Sequence, residues 1–313
     1  MKKVGIIGGA GFIGSHITRV FLNHGFEAKV SVTDISRQDK YKHLTELENS
    51  GNLYITELNI ENKNQLQQFV QDCDLVIHGG TPFQLEVSDP KSELFDPTIR
   101  GTENFLEAIS NTPSVEKVVI IASVASLNTN FPLPPDNTTP LDVMDELSPK
   151  FISKESHPYA QAKFIANQTV EKYIEEHPGI HFEISSVSPV MVMGRSLSSR
   201  EDSTSSGLQF LIKNGIAPND FIRFLYDVDA LFAIVDVRDV AEAVYKAATR
   251  NGIHGKNYLL SSESWRISDL RLMLNGEDPN NKPLTVYRNN LAKSDLSVDF
   301  RPVRETLYSF SNG

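Results

Sequence analysis

The sequence has one cysteine, Cys73, so no internal disulfide can form and a small disulfide-stapled scaffold is excluded. A reducing compartment suits such a chain, and a cytoplasmic protein is expected. No run of about 18 apolar residues is present, so no membrane partner is expected. Dense lysine and arginine runs are also missing. Forty acidic residues against 30 basic leave a net charge of −10. That balance repels phosphate backbones, and no nucleic-acid partner is expected. There is no internal repeat and no low-complexity linker. The start, Met1-Lys2-Lys3 before an apolar stretch, has the outline of a secretory leader. Gly5, Gly8, Gly9, Gly11 and Gly14 make that stretch poor helix material, and secretion is not expected.

What is present is a chain of 313 residues, 40% hydrophobic and 22% charged. That length allows about two domains. Short apolar runs alternate with helical patterns. Residues 4–7, 29–33, 53–56, 75–78 and 117–122 read as strands. Residues 12–23, 63–71 and 95–110 read as helices, the first with Ile13, Ile17, Val20 and Phe21 on one face. The run Val118-Val119-Ile120-Ile121 suits a strand buried on both faces. Strand–helix alternation of this kind predicts an α/β fold, a doubly wound parallel sheet of the Rossmann type with right-handed crossovers. Six prolines between 128 and 158 break the pattern, as in a functional loop. A helix over 158–176, a strand over 182–187 and a helix over 236–249 follow. The tail from Gly276 reads as polar and turn-rich.

Gly8, Gly11 and Gly14, spaced G-x-x-G-x-x-G, sit directly between the first strand and the first helix. The first glycine permits a tight turn, the second lets a pyrophosphate approach the backbone, and the third allows helix to pack on strand. The helix start at Phe12 and Ile13 aims unpaired N–H groups at the phosphates. Asp34 lies 20 residues past Gly14, the distance expected of a carboxylate on the ribose 2′-hydroxyl. Arg37 could instead hold a 2′-phosphate. The two residues point to opposite cofactors, NAD and NADP.

Tyr159 and Lys163 are one helical turn apart, on one face. An ammonium there should favour phenolate and lower the tyrosine pKa, which makes Tyr159 a candidate general acid/base. A hydroxyl is needed to hold a carbonyl substrate. Ser123 ends the strand at 117–122, at the edge where open α/β sheets bind ligands, and Ser126 is three residues on. Asp236 and Asp239 read as helix-start residues. His177 and His181 are separated by Pro178 and Gly179, and no metal is expected. Trp265 reads as packing.

Together these segments resemble the extended short-chain dehydrogenase/reductase family, and within it the branch of dihydroflavonol reductases and related ketone and aldehyde reductases. The resemblance rests on Ile6 to Gly14, on Asp72 to Pro82 with its Gly79-Gly80-Thr81-Pro82, and on Gly101-Thr102-Glu103-Asn104. It rests also on Val118 to Leu127, on the Tyr159/Lys163 pair, on Ser188 to Gly194 and on Val235 to Ala241. It covers residues 3–245 and is loose from Gly252 onward. Ile7 stands where threonine is usual, Gly80 where alanine is, and Ala122 where a second serine is common.

The resemblance implies hydride transfer between a nicotinamide and the carbonyl or alcohol of a small organic substrate. Tyr159 would exchange the proton, Lys163 would tune it and hold the nicotinamide ribose, and Ser123 would donate to the substrate oxygen. Gly79, Gly80 and Thr81 would line the cofactor, Asn59 and Ile60 would flank the adenine, and Pro189 and Val192 would lie near the nicotinamide. In NADP-dependent members of the branch an arginine commonly ends the second strand. Thr33 holds that place here, or Asp34 falls on the NAD-type carboxylate, and the reading leans to NAD. It further implies a dinucleotide-binding domain over 1–187 with 236–255, and a smaller substrate-binding portion over 188–235 and 256–313. A monomer or homodimer is expected. Two alternatives stand beside this reading. One is a sugar-nucleotide epimerase or dehydratase with tightly held NAD. The other is a non-catalytic cofactor-binding sensor or scaffold.

Overall fold

A computed structural model describes residues 1–79, 88–135, 142–199 and 204–311. Gly80 and Thr81 therefore lie outside the described residues. β1 (Lys3–Ile7) turns through the glycine loop into α1 (Phe12–Asn23), and β2 (Glu27–Val32) follows. The short α2 (Lys42–Thr45) leads to β3 (Leu53–Glu57), α3 (Lys63–Val70) and β4 (Leu75–His78). Next come α4 (Asp96–Ser110), β5 (Lys117–Ile121), α5 (Pro158–Glu176) and β6 (Glu183–Pro189).

Past β6 the chain builds a second layer. β7 (Met191–Met193), α6 (Thr204–Asn214), α7 (Asp220–Asp227) and β8 (Leu231–Asp236) come first. α8 (Val237–Thr249) and β9 (Asn257–Leu260) return to the first layer. β10 (Glu263–Arg266), α9 (Ile267–Leu274), α10 (Asn290–Leu296) and α11 (Val303–Ser311) complete the chain.

The large sheet runs β3-β2-β1-β4-β5-β6-β9, with every pairing parallel. Strands β4 and β5, LVIH and KVVII, are buried along their whole length. Strands covered on both faces need apolar side chains in both directions, so their sequences lose the two-residue alternation. One face packs on α1 and α8 around Ile17, Phe21, Val240 and Val244. The other packs on α3, α4 and α5 around Leu66, Phe105, Ile109 and Val170.

The smaller sheet, β10-β8-β7, mixes an antiparallel and a parallel pairing. It has its own core, with Ile212, Leu225, Trp265, Leu270, Val303 and Leu307 buried together. Trp265 packs here as expected, and its indole N–H donates to Glu263 Oε2 at 2.9 Å.

Two expectations need correction. The tail past Gly276 holds two helices and the buried Tyr287, Ala292, Leu296, Val298, Val303 and Leu307, although its local sequence is polar. β9, at 257–260, falls beyond the boundary expected after 255, yet it pairs with β6 at the edge of the large sheet. Asp236 and Asp239 act at the start of α8. Asp236 Oδ1 accepts the Arg238 N–H at 2.7 Å, which caps the helix, and Asp239 pairs with Arg301 to hold the tail against it. Among the described residues no helix is long and apolar enough to cross a membrane.

Candidate active site

In the large sheet the order reverses between β1 and β4, and the carboxyl ends of these strands open a crevice, the place where open α/β sheets take ligands. The glycine loop fills its floor. Gly8 has a φ of +77°, a conformation that side chains disfavour, and Gly11 N–H bonds Gly8 O at 3.0 Å to close the turn. A Cβ on Gly14 would stand 2.1 Å from Gly8 O, and one on Gly79 would stand 2.2 Å from Ile7 O. Side chains at either position would drive the β1, α1 and β4 ends apart. Gly8, Gly11 and Gly79 stay exposed while the strands before them are buried. α1 has no side-chain cap and no acidic residue in its first turn. The N–H groups of its first turn, at Phe12 and Ile13, are therefore left for a ligand anion.

A groove of ≈ 560 Å³ runs from Gly8 and Gly79 past Ser31, Val32 and Thr33 to Leu58, Asn59, Ile60 and Glu61. Its size, its apolar walls and the bare helix start suit the adenosine half of a dinucleotide. Ser31 and Glu61 are not singled out from sequence. The signal for Ser31 was a polar residue inside an otherwise apolar strand; its hydroxyl accepts the Gly8 N–H at 3.0 Å. Asn59 Oδ1 accepts the Glu61 N–H at 3.0 Å, and Asn59 N–H donates to Gln65, which holds this wall in shape.

Asp34 lies just beyond the groove, fully exposed. Its carboxylate accepts both the N–H and the hydroxyl of Ser36, and these bonds hold its pKa below the usual range. Arg37 turns away to a two-bond pair with Asp39 at 3.0 and 2.9 Å. Pro189 ends β6, and Val192 is 6% exposed within the core. Neither borders this groove.

Across the switch point, β5 delivers Ser123. Its Oγ accepts the Ala125 N–H at 3.2 Å, so its own hydrogen is left to donate elsewhere. Ser126 differs. It is buried and bonded to Ser188 Oγ at 2.9 Å, within a network that includes Asn257. Tyr159 sits in the first turn of α5. Pro158 opens that turn with its preset φ, and His157 Nδ1 accepts the Tyr159 N–H at 3.2 Å. The start of α5 is anchored to the chain after Ser123. Gln161 Nε2 donates to Ser156 O at 2.7 Å, and Ser156 Oγ bonds Thr129 and Asn130.

Lys163 is 7% exposed, with Nζ 5.8 Å from the centre of the Tyr159 ring. A cavity of ≈ 30 Å³ behind it is shared with Ala122, His78 and Asn167. The expected fall of the Tyr159 pKa is not what the fold produces. Burial pushes the phenol up to about 12, and burial pulls the Lys163 ammonium down to about 8. Desolvation opposes both charged forms and outweighs the ammonium's field at this distance. His78, missed from sequence although it directly precedes Gly79, is held down near 4 by burial and then by Lys163, so it is neutral at pH 7. His177 and His181 each bond a backbone carbonyl, Tyr173 O and Thr112 O.

The chain thus has a glycine turn at a switch point, a half-buried tyrosine beside a buried lysine, and a strand-end serine. The model of the NAD dependent epimerase/dehydratase family matches residues 4–261. The chain belongs to that family. Membership, together with the reductases among its relatives, makes it an NAD(P)-dependent reductase-type enzyme. Among curated relatives, a cinnamoyl-CoA reductase of Medicago truncatula is 29% identical over 257 residues, covering 80% of this chain and 74% of that protein. An anthocyanidin reductase of Vitis vinifera is 24% identical, covering 100% of this chain and 91% of that protein. In fold, the chain is similar to the yeast methylglyoxal/isovaleraldehyde reductase Gre2 complexed with NADPH, with a TM-score of 0.80, 24% identity and coverage of 98% and 96%. The Candida albicans Gre2–NADPH complex gives a TM-score of 0.82 at 23% identity, covering 100% of this chain and 98% of that one.

Proposed function

We propose that this enzyme reduces the carbonyl of a small organic substrate, with Tyr159 as the proton donor. The observation that carries the reading is the half-buried Tyr159 beside the buried Lys163, tied by the Ser156 network to the segment after Ser123. The bound nicotinamide supplies the hydride, or accepts it in the reverse direction. Everything else falls to the chain. Ser123, with one lone pair occupied by the Ala125 N–H, directs its hydrogen to the substrate oxygen and stabilises the charge that builds there. Tyr159, with its pKa up near 12, keeps its proton at neutral pH and transfers it to the alkoxide. Lys163, whose pKa of about 8 still leaves it mostly ammonium at neutral pH, stabilises the phenolate left behind. In the groove, Gly8, Gly11, Phe12 and Ile13 would hold the pyrophosphate of a bound cofactor, and Asn59, Ile60 and Gly79 would border its adenosine. Gly80, Thr81, Pro189 and Val192 are assigned to the nicotinamide end by resemblance alone. A small carbonyl or alcohol is the substrate class that the reductases among the relatives suggest.

Replacement of Tyr159 with Phe tests this directly. NAD(P)H-dependent reduction across a panel of aldehydes and ketones should fall at least about a hundredfold, while the affinity for cofactor stays within about threefold. Unchanged turnover would sink the assignment. Turnover on a nucleotide sugar alone would favour the epimerase or dehydratase chemistry of other family members.

The cofactor reading leans to NAD. Asp34 and Glu57 put carboxylates at the ribose end, Glu57 through the Ile35 N–H at 3.1 Å, and Arg37 is committed to Asp39. The relatives cut the other way, since both Gre2 structures hold NADPH. Side-by-side titration of NADH and NADPH decides the point: tighter NADH is expected, and clearly tighter NADPH would refute the role given to Asp34.

A further inference from the structure

We propose that the cleft between α1 and α11 binds a doubly charged oxyanion, such as a phosphate group, through Arg19 and Arg195. This cleft of ≈ 440 Å³ is lined by His16, Arg19, Arg195, Arg238, Glu305 and Tyr308, and it shares no lining residue with the groove at the glycine loop.

The hydrogen bonds determine the state of His16. Its Nε2 lies 2.9 Å from the carbonyl oxygen of Arg195, which can only accept, so Nε2 carries the hydrogen. Its Nδ1 lies 3.1 Å from Arg19 Nη2, which can only donate, so Nδ1 is bare. Both nitrogens are thereby assigned and the ring is neutral. Burial, reinforced by the Arg19 charge, holds its pKa down at about 4.

Arg19 thus leans on an uncharged ring. It is half-buried, and burial followed by the Arg238 charge lowers its own pKa. Among the described residues neither Arg19 nor Arg195 has a carboxylate partner, whereas Arg238 spends its charge on Asp236 at 2.6 Å and Glu305 at 3.3 Å. Asp236 is fully buried, so among the described residues Glu305 is the one carboxylate that lines the cleft. The Arg19 and Arg238 guanidiniums repel one another in this partly desolvated cleft, which Arg195 also lines, and an anion there would relieve the repulsion. In a chain of net charge −10, such a concentration of unpaired positive charge is local. The planar guanidinium fork fits two oxygens of one anion, which favours an oxyanion over chloride.

The test uses the full chain and inorganic phosphate, with chloride at matched ionic strength as the control. Phosphate should raise the thermal midpoint and broaden its own phosphorus resonance with one dissociation constant, unaltered by saturating NADH or NADPH. Arg19→Met and Arg195→Met should each weaken binding by about tenfold or more, the loss of one charge-assisted hydrogen-bond donor. Without phosphate, Arg19→Met should melt no lower than the parent, because it relieves repulsion. Three results would each overturn the proposal. Phosphate could act no differently from chloride. Cofactor could displace it, which would put the anion in the dinucleotide groove. Arg19→Met could lower the midpoint equally with and without phosphate, the mark of a structural side chain. None of these outcomes depends on whether Tyr159 is the proton donor.

Discussion

The seven-stranded sheet and the three-stranded sheet are built on opposite plans. The large sheet gathers β1 to β6, with a helix between each successive pair, and β9 joins from far along the chain. The small sheet gathers β7, β8 and β10 from three separated stretches, and its core is completed by α6, α7, α9 and α11. The difference shows at the surface. In the large unit, helices cover both faces of the sheet with apolar stripes. On α7, Leu225 is buried while Phe221 and Phe224 are 53% and 46% exposed. The large unit is thus specified mainly by local pattern around a fixed ligand groove. The small unit is specified by long-range packing.

Two substitutions test that contrast. The larger effect belongs to Gly14→Val. The added Cβ would meet Gly8 O at 2.1 Å and Gly9 Cα at 2.7 Å, and backbone atoms cannot yield as a flexible side chain would. The turn must open, so NADH or NADPH binding followed by fluorescence should be lost and the thermal midpoint should drop. Retained cofactor affinity would break the claim that the large unit's groove depends on this close approach. The smaller effect belongs to Leu270→Ala, fully buried in the core of the small unit. A cavity there should cost about 2–5 kcal/mol of stability. Substrate KM should rise while cofactor affinity is preserved. An equal loss of cofactor binding would show that the two units are energetically one.

Much of the large unit was legible because its signals are local. Val4 to Gly14 carries strand, turn and helix start within one short segment, and Val118 to Ser123 carries a buried strand and the hydroxyl at its end. The Tyr159/Lys163 spacing was equally plain, but the state of the pair was not. Which effect wins at the phenol depends on how deeply both residues are buried, and spacing carries no burial. The partner of Arg37 was hidden for a similar reason. Asp39, two residues away, claims it, and only the turn geometry shows that the two meet. The burial of Ser126 depends on Ser188 and Asn257, both more than sixty residues away, and is not legible in its local sequence.

The sequence by itself determined the strand order's local logic, the glycine turn and the residues able to exchange a proton. Those features rest on backbone conformation and on chemistry carried within a few residues. Tertiary structure alone decided the rest. It placed β9 in the large sheet and turned a polar tail into two packed helices. It made His16 neutral between Arg19 and a carbonyl, and it raised Tyr159 while lowering Lys163. Each of these depends on desolvation or on a partner distant in the chain, and neither is written in local sequence.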